Sequence, residues 1–228
     1  MNPHIFREYD IRGLVREDLD VDTVRFADHR IAYGNVAADD VSDMFAAGLL
    51  EGGQHDKRLG PTIEVPYLIN QDRWTFWRCG LIEPLSIEDY RDHQGFKALE
   101  KAFEIGPDAV IEQVTASGLR GRGGAGFPAG VKWRTVADAE AGQKYIACNA
   151  DEGDSGTFSD RILMEGDPFG LIESMAIAGF AVGASRGYIY LRSEYPLTRL
   201  ILSRAIATAR DAGWLGRAIA GSGFGFDD

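Results

Sequence analysis

At 228 residues the chain has room for one ordinary domain and a short appendage, and its 45% hydrophobic and 26% charged residues give the balance of a globular protein that folds in water. A formal net charge of −11 excludes a sequence-independent grip on nucleic acid or anionic lipid by the chain as a whole. With 2 cysteines, neither in a C-x-x-C pattern, and 4 scattered histidines, a disulfide framework, a zinc site or a four-cysteine iron–sulfur cluster is not expected within it.

No apolar run approaches the length needed to span a bilayer, and the first residues mix charges with apolar side chains where a signal peptide carries an apolar core. The expectation is a cytoplasmic protein with no direct membrane insertion. Residues 1–57 read as an irregular, weakly structured leader, in which charged residues interrupt short apolar pairs and Gly52-Gly53 marks a turn. Inside it Val41, Met44, Phe45 and Leu49 recur at helical spacing and predict a short helix over 40–50.

Past Pro66 the signals sharpen. Ser86 ahead of Glu88 and Asp89 predicts a helix start, the hydroxyl accepting from a free backbone N–H and the acids favouring the positive end of the dipole. Phe96, Leu99 and Phe103 continue one buried helix face until Gly106-Pro107 ends it, and a second helix over 108–117 presents Val110, Ile111 and Val114. Tyr145-Ile146-Ala147-Cys148 has the pattern of a buried strand. Asp167-Pro168 then supplies an N-cap and a proline at the first helical position of a long apolar helix reaching Gly183. Gly187 opens a second strand over 188–191, and Pro196 opens a helix closed by Gly213. This βαβα order predicts an α/β fold with a parallel sheet and right-handed crossovers.

Residues 118–133 hold six glycines in sixteen positions, a density that lets backbone N–H groups approach an anion with no Cβ in the way. Gly121 to Gly126 satisfies G-x-G-x-x-G, but it follows a helix and runs into Phe127-Pro128, so it fails the context of an ordinary dinucleotide fingerprint, and a plain glycine hinge competes with it. Arg120, Arg122 and Lys132 favour the anion reading, because three cations around one loop repel each other unless something negative sits among them. Phe127 and Trp133 could stack on a flat heteroaromatic ring, with core packing the stronger alternative for Trp133. After the first strand come Asn149, Asp151, Glu152 and Asp154, placed where open parallel sheets bind their ligands. Alone, three acids in four positions would read as a solvated turn.

Taken in order, A-S-G-L-R-G-R-G-G-A-G-F-P-x-G-x-K-W, C-N-A-D-E-G-D-S-G-T-F-S-D-R, M-E-G-D-P-F and G-Y-I-Y-L-R-S-E-Y-P resemble successive signatures of the FMN- and NADH-binding flavoprotein subunit of complex I, of NAD-dependent formate dehydrogenases and of NAD-reducing hydrogenases. The resemblance covers residues 58–228 and implies a Rossmann-like FMN-binding domain. It also implies hydride transfer between NAD(H) and FMN, with electrons passing to iron–sulfur subunits of a multisubunit dehydrogenase and no catalytic side chain, since the hydride moves between cofactors. Carried over residue by residue, Gly121, Arg122 and Gly123 match the flavin loop, Lys132 the lysine near both cofactors, and Asn149, Asp151 and Glu152 the flavin-binding turn. Phe127 matches the aromatic that stacks on adenine. Asp154 stands where related chains often carry a glutamate that contacts NADH. R-C-G-L-I-E-P-L-S-I-E-D-Y-R around Cys79 looks closer to the formate dehydrogenase beta subunit than to complex I.

Three departures accompany the likeness. The family's next glycine-rich element and its [4Fe-4S] cysteines have no counterpart here, so the expected domain is incomplete. Ile5 to Gly13 resembles a phosphomannomutase start. The alternative expectation is therefore a truncated, non-catalytic piece holding FMN weakly or not at all; a sugar-phosphate mutase rests on that opening alone.

Overall fold

The computed structural model describes residues 21–25, 30–154 and 156–227. It divides into two units, Met1–Trp74 and Thr75–Asp228, whereas the sequence predicts a boundary after Lys57. The mutase-like stretch from Ile5 to Gly13 lies outside the described residues.

In the first unit β1 (Val21–Arg25), β2 (Arg30–Gly34) and β3 (Arg58–Pro61) form an antiparallel sheet in that order, with a register shift between Ala32 and Tyr33. No strand is expected here from the sequence pattern. Ile31 and Tyr33 pack against Met44 and Leu49, so the expected helix, α1 (Asp40–Ala46), finds its cover in the sheet. A short α2 (Pro66–Ile69) follows.

In the second unit β4 (Tyr145–Ala150) and β5 (Arg186–Leu191) pair in parallel, from Tyr145 opposite Arg186 to Ala150 opposite Leu191. Between them run α7 (Ser159–Gly166) and α8 (Pro168–Val182), and α9 (Pro196–Asp211) follows, giving the expected Rossmann-like α/β order. The long helix starts and stops as its sequence dictates: the Asp167 side chain accepts from the Gly170 N–H, Pro168 takes the first position, and Gly183 leaves the helix at φ +76°. Helix α7 was not foreseen.

The helix expected to run from Ser86 to Gly106 is two helices, α3 (Ile87–Asp92) and α4 (Lys97–Ile105). Ser86 caps α3 as anticipated, accepting from Asp89 N at 3.1 Å. The break has two causes. A Cβ on Gly95 would lie 2.1 Å from the Tyr90 ring, so chain and ring meet there at a contact only glycine allows. The restart is capped from outside, because buried Glu173 of α8 accepts from Phe96 N at 2.8 Å and Leu99 N at 3.0 Å, and also from the Tyr90 hydroxyl. No periodicity within residues 86–106 could disclose a cap delivered from 74 residues away.

Helices α5 (Pro107–Ala116) and α6 (Ala129–Asp138) pack on each other and on α8. The main core joins Tyr90, Phe96, Leu99, Phe169, Ile172 and Trp214, with the Phe96 and Trp214 rings stacked at 4.0 Å. Each large side chain buried there contributes about 1.5–3 kcal/mol of transfer free energy. The two strands are buried on one face only. Ile146, Cys148, Ile189 and Leu191 meet the helices, whereas Tyr145, Tyr188 and Tyr190 are more than half exposed, which corrects the buried strand expected over 145–148. Among the described residues no helix is long and apolar enough to cross a membrane.

Candidate functional site

The glycine loop is a closed lariat. Gly121 N donates to Phe127 O at 2.9 Å, Ala129 N to Leu119 O at 2.8 Å, and Arg120 Nη1 to Gly126 O at 2.9 Å. Arg120 is thus a brace of the loop. The exposed guanidinium of Arg122 and ammonium of Lys132 have no partner among the described residues.

The six glycines have separable reasons. Gly118, Gly124 and Gly126 take positive φ of 68°, 105° and 59°, which side chains rarely adopt. Gly130 lies in α6 where a Cβ would come within 2.1 Å of Thr115 Oγ1 and 2.7 Å of Thr115 Cα, so it serves the contact between α5 and α6. Gly121 and Gly123 have neither cause. A Cβ on Gly121 would make ordinary contacts, and one on Gly123 would enter open space. The fold does not require these two, and they are two of the three positions assigned to the flavin loop by resemblance. Phe127 is 55% exposed at the lariat's far side, while Trp133 packs with Ala137 on the cluster of Val110, Ile111 and Ala181.

At the carboxyl end of β4 the chain turns sharply, with Glu152 in the left-handed region at φ +44°. Asn149 Oδ1 accepts from Asp151 N at 3.2 Å, which leaves the amide nitrogen of Asn149 as its outward donor. Asn149, Asp151, Ala147, Cys148 and Tyr190 line an open recess of about 420 Å³. Asp151 is half-buried and Asp154 exposed, and neither carboxylate has a partner among the described residues. Tyr190, opposite Asn149 on β5, was missed as a site residue; the alternation Tyr188-Ile189-Tyr190-Leu191 was the signal that could have shown it facing outward.

Glu152 differs from its neighbours because its carboxylate is fully engaged. It accepts from Ser159 Oγ at 3.2 Å, Asp160 N at 2.8 Å, Arg161 N at 3.2 Å and Tyr195 Oη at 2.9 Å, while Arg192 Nη1 donates to its backbone carbonyl at 2.6 Å. Burial alone would push this carboxyl up, but the donors from Asp160, Tyr195, Arg161 and Ser159 together outweigh it and hold it below the usual glutamate range.

Among the described residues no hydrogen bond or ion pair joins the lariat to the β4 turn. They share a support in α8, where Ile177 packs with both the core under β4 and the cluster carrying Trp133. Phosphate, flavin or nucleotide chemistry suits what each half presents: N–H groups without Cβ cover, two free cations, an exposed aromatic ring, an amide donor and carboxylate acceptors.

A glycine loop feeding the N-terminus of α6, in the same unit as a pair of parallel strands, gives an α/β segment of a kind suited to a nucleotide or a flavin. Residues 114–221 match the family described as Nuo51 FMN-binding domain. The chain is similar to the NADP-reducing hydrogenase subunit HndC of Solidesulfovibrio fructosivorans, 52% identical over 65% of this chain and 30% of that one. It is likewise similar to an NADH-quinone oxidoreductase subunit of Rhizobium meliloti, 50% identical over 61% of this chain and 34% of that one. The NAD-reducing hydrogenase HoxS subunit alpha of Cupriavidus necator is 48% identical over 57% of this chain and 22% of its own length. The chain therefore spans less than a third of the two hydrogenase relatives and about a third of the quinone oxidoreductase relative.

Proposed function

We propose that this chain is the FMN-binding part of an NADH:FMN oxidoreductase module, belonging to a formate dehydrogenase or a complex I-like NADH dehydrogenase whose iron–sulfur subunits take the electrons onward. The observation that carries this reading is Gly123. It is a glycine the fold does not need, in a loop carrying Arg122 and Lys132, cations without a partner among the described residues, inside the segment that matches the FMN-binding domain family.

FMN, when bound, supplies the hydride exchange with the nicotinamide. The chain's own residues bind and orient. Arg122 and Lys132 offset the charge of a phosphate or a reduced ring, and the N–H of Gly123, with no Cβ beside it, admits close approach. The amide of Asn149 and the carboxylate of Asp151 hold ring-edge or ribose groups, Phe127 offers a stacking face to adenine, and Asp154 faces the nicotinamide nucleotide. The stretch around Cys79 supports the formate dehydrogenase parent over complex I.

The test is a titration of the purified chain with FMN, followed by flavin fluorescence, with NADH then added anaerobically. Saturable quenching and NADH-dependent bleaching are expected. Absence of saturable binding would sink the reading, and binding without bleaching would leave a flavin-binding chain that does not take hydride.

A further inference from the structure

The R-S-E-Y-P stretch that follows β5 has no role in the site as proposed, and the carboxylate of Glu152, assigned by resemblance to the flavin, is already surrounded by protein donors. These two observations explain each other. We infer that Glu152 is a positioning residue: with Tyr195 and Arg192 it forms a latch that holds the turn after β4 in the shape that presents Asn149 and Asp151, and its carboxylate does not itself contact the cofactor. The inference rests on the proposed FMN site for its functional meaning, but the latch is a property of the chain.

The geometry supports it in three steps. A glutamate at φ +44° is in the left-handed region that side-chain-bearing residues rarely adopt, so neighbouring contacts must hold it there. Those contacts come from three elements. The first turn of α7 donates through Ser159 Oγ and the N–H groups of Asp160 and Arg161, the residue before α9 donates through the Tyr195 hydroxyl, and the exit of β5 donates through Arg192 to the Glu152 carbonyl. Arg192 N also donates to Ala150 O at 3.2 Å, extending the strand pairing to the last residue before the turn. Finally, four donors on two carboxylate oxygens account for the lone pairs a carboxylate offers, leaving a ligand little to engage.

The experiment compares wild-type, Glu152→Gln, Tyr195→Phe and the double variant by FMN affinity and by amide hydrogen exchange of the FMN-free chain. The amides of Asp160 and Arg161 should exchange roughly tenfold faster in Glu152→Gln and faster in Tyr195→Phe, since the lost acceptor is worth about one ordinary hydrogen bond. FMN should bind more weakly in both single variants, and the double variant should bind no more weakly than Glu152→Gln, because the two residues act through one bond. Additive losses would overturn the latch. So would an affinity change in Glu152→Gln with exchange at Asp160 and Arg161 unaltered, the signature of direct flavin contact, or faster exchange with FMN affinity unchanged. If the wild-type chain binds no FMN, the site reading fails, and the latch stands or falls on the exchange data alone. Should Glu152→Gln fail to fold, Tyr195→Phe carries both readouts.

Discussion

The Nε of Arg78 donates to Oδ2 of Asp167 at 2.8 Å, joining residues 89 positions apart and tying the segment ahead of α3 to the N-cap of α8. Asp167 is 2% exposed, and the same guanidinium lies 4.6 Å over the Tyr90 ring. Burial keeps the Asp167 carboxyl above the usual aspartate range even though Arg78 and the Gly170 N–H pull it down. Arg78→Ala would leave that carboxylate buried and unpaired, which costs about 3–5 kcal/mol. A melt near neutral pH should show a drop of many degrees, and Asp167→Asn in the Arg78→Ala background should recover part of it. A melting temperature unchanged in Arg78→Ala would show that the pair does not anchor α8.

How far the sequence disclosed this molecule varies with the distance over which each feature is determined. Helix α8 was legible to the residue because Asp167, Pro168 and Gly183 are local instructions. The break between α3 and α4 was not, since Glu173 makes it from another helix. Strand β2 was hidden because the cover of Ile31 and Tyr33, namely Met44 and Leu49, comes from later in the chain. In the site, the lariat and the β4 turn were visible as composition and motif, but the division of labour among their residues was not. Arg120 and Arg122 look alike in sequence, and only the hydrogen bond to Gly126 O separates brace from free cation.

The glycines of the lariat make a paired test. Gly130→Ala must push Cβ into Thr115, including its backbone Cα, so the gain in helix propensity is overridden and a net loss of about 1–3 kcal/mol is expected. Gly123→Ala meets open space, and its stability should stay within about 0.5 kcal/mol of wild-type. FMN affinity should respond to Gly123→Ala despite that, by roughly tenfold or about 1.4 kcal/mol. Calorimetry and flavin fluorescence on the same two variants check both halves. A Gly123→Ala chain that binds FMN normally would remove Gly123 from the site.

Lys132 and Arg122 have no partner among the described residues, so their removal should leave folding stability nearly unchanged while weakening an anion's hold. For a charge-assisted contact the expected loss in Lys132→Ala is about 1.5–3 kcal/mol, or on the order of 10- to 150-fold in FMN affinity. That loss should shrink between low and high salt as screening takes over the work of the missing charge. Isothermal titration at two ionic strengths measures it. Affinity untouched by Lys132→Ala at low salt would mean that the anion sits elsewhere.

The carboxyl of Glu152 gives the pH dependence, and its sign follows from direction alone. Because the folded chain holds it below the usual glutamate range, the unfolded chain binds more protons as the solution is acidified, and stability falls with falling pH. The contribution is complete above the ordinary value of about 4.3 and is lost as the pH passes down through the lower value of the folded state. Asp160 opposes this: burial and the nearby Glu152 charge raise its carboxyl, so its own contribution is present at low pH and lost as the pH rises through that raised value. Glu152→Gln removes the first effect and part of the second, and its melting temperature should vary less steeply with acid below the glutamate range than that of wild-type. Comparing the two in an Asp160→Asn background isolates Glu152. If the acid limbs coincide there, the carboxylate is not held by the donors around it.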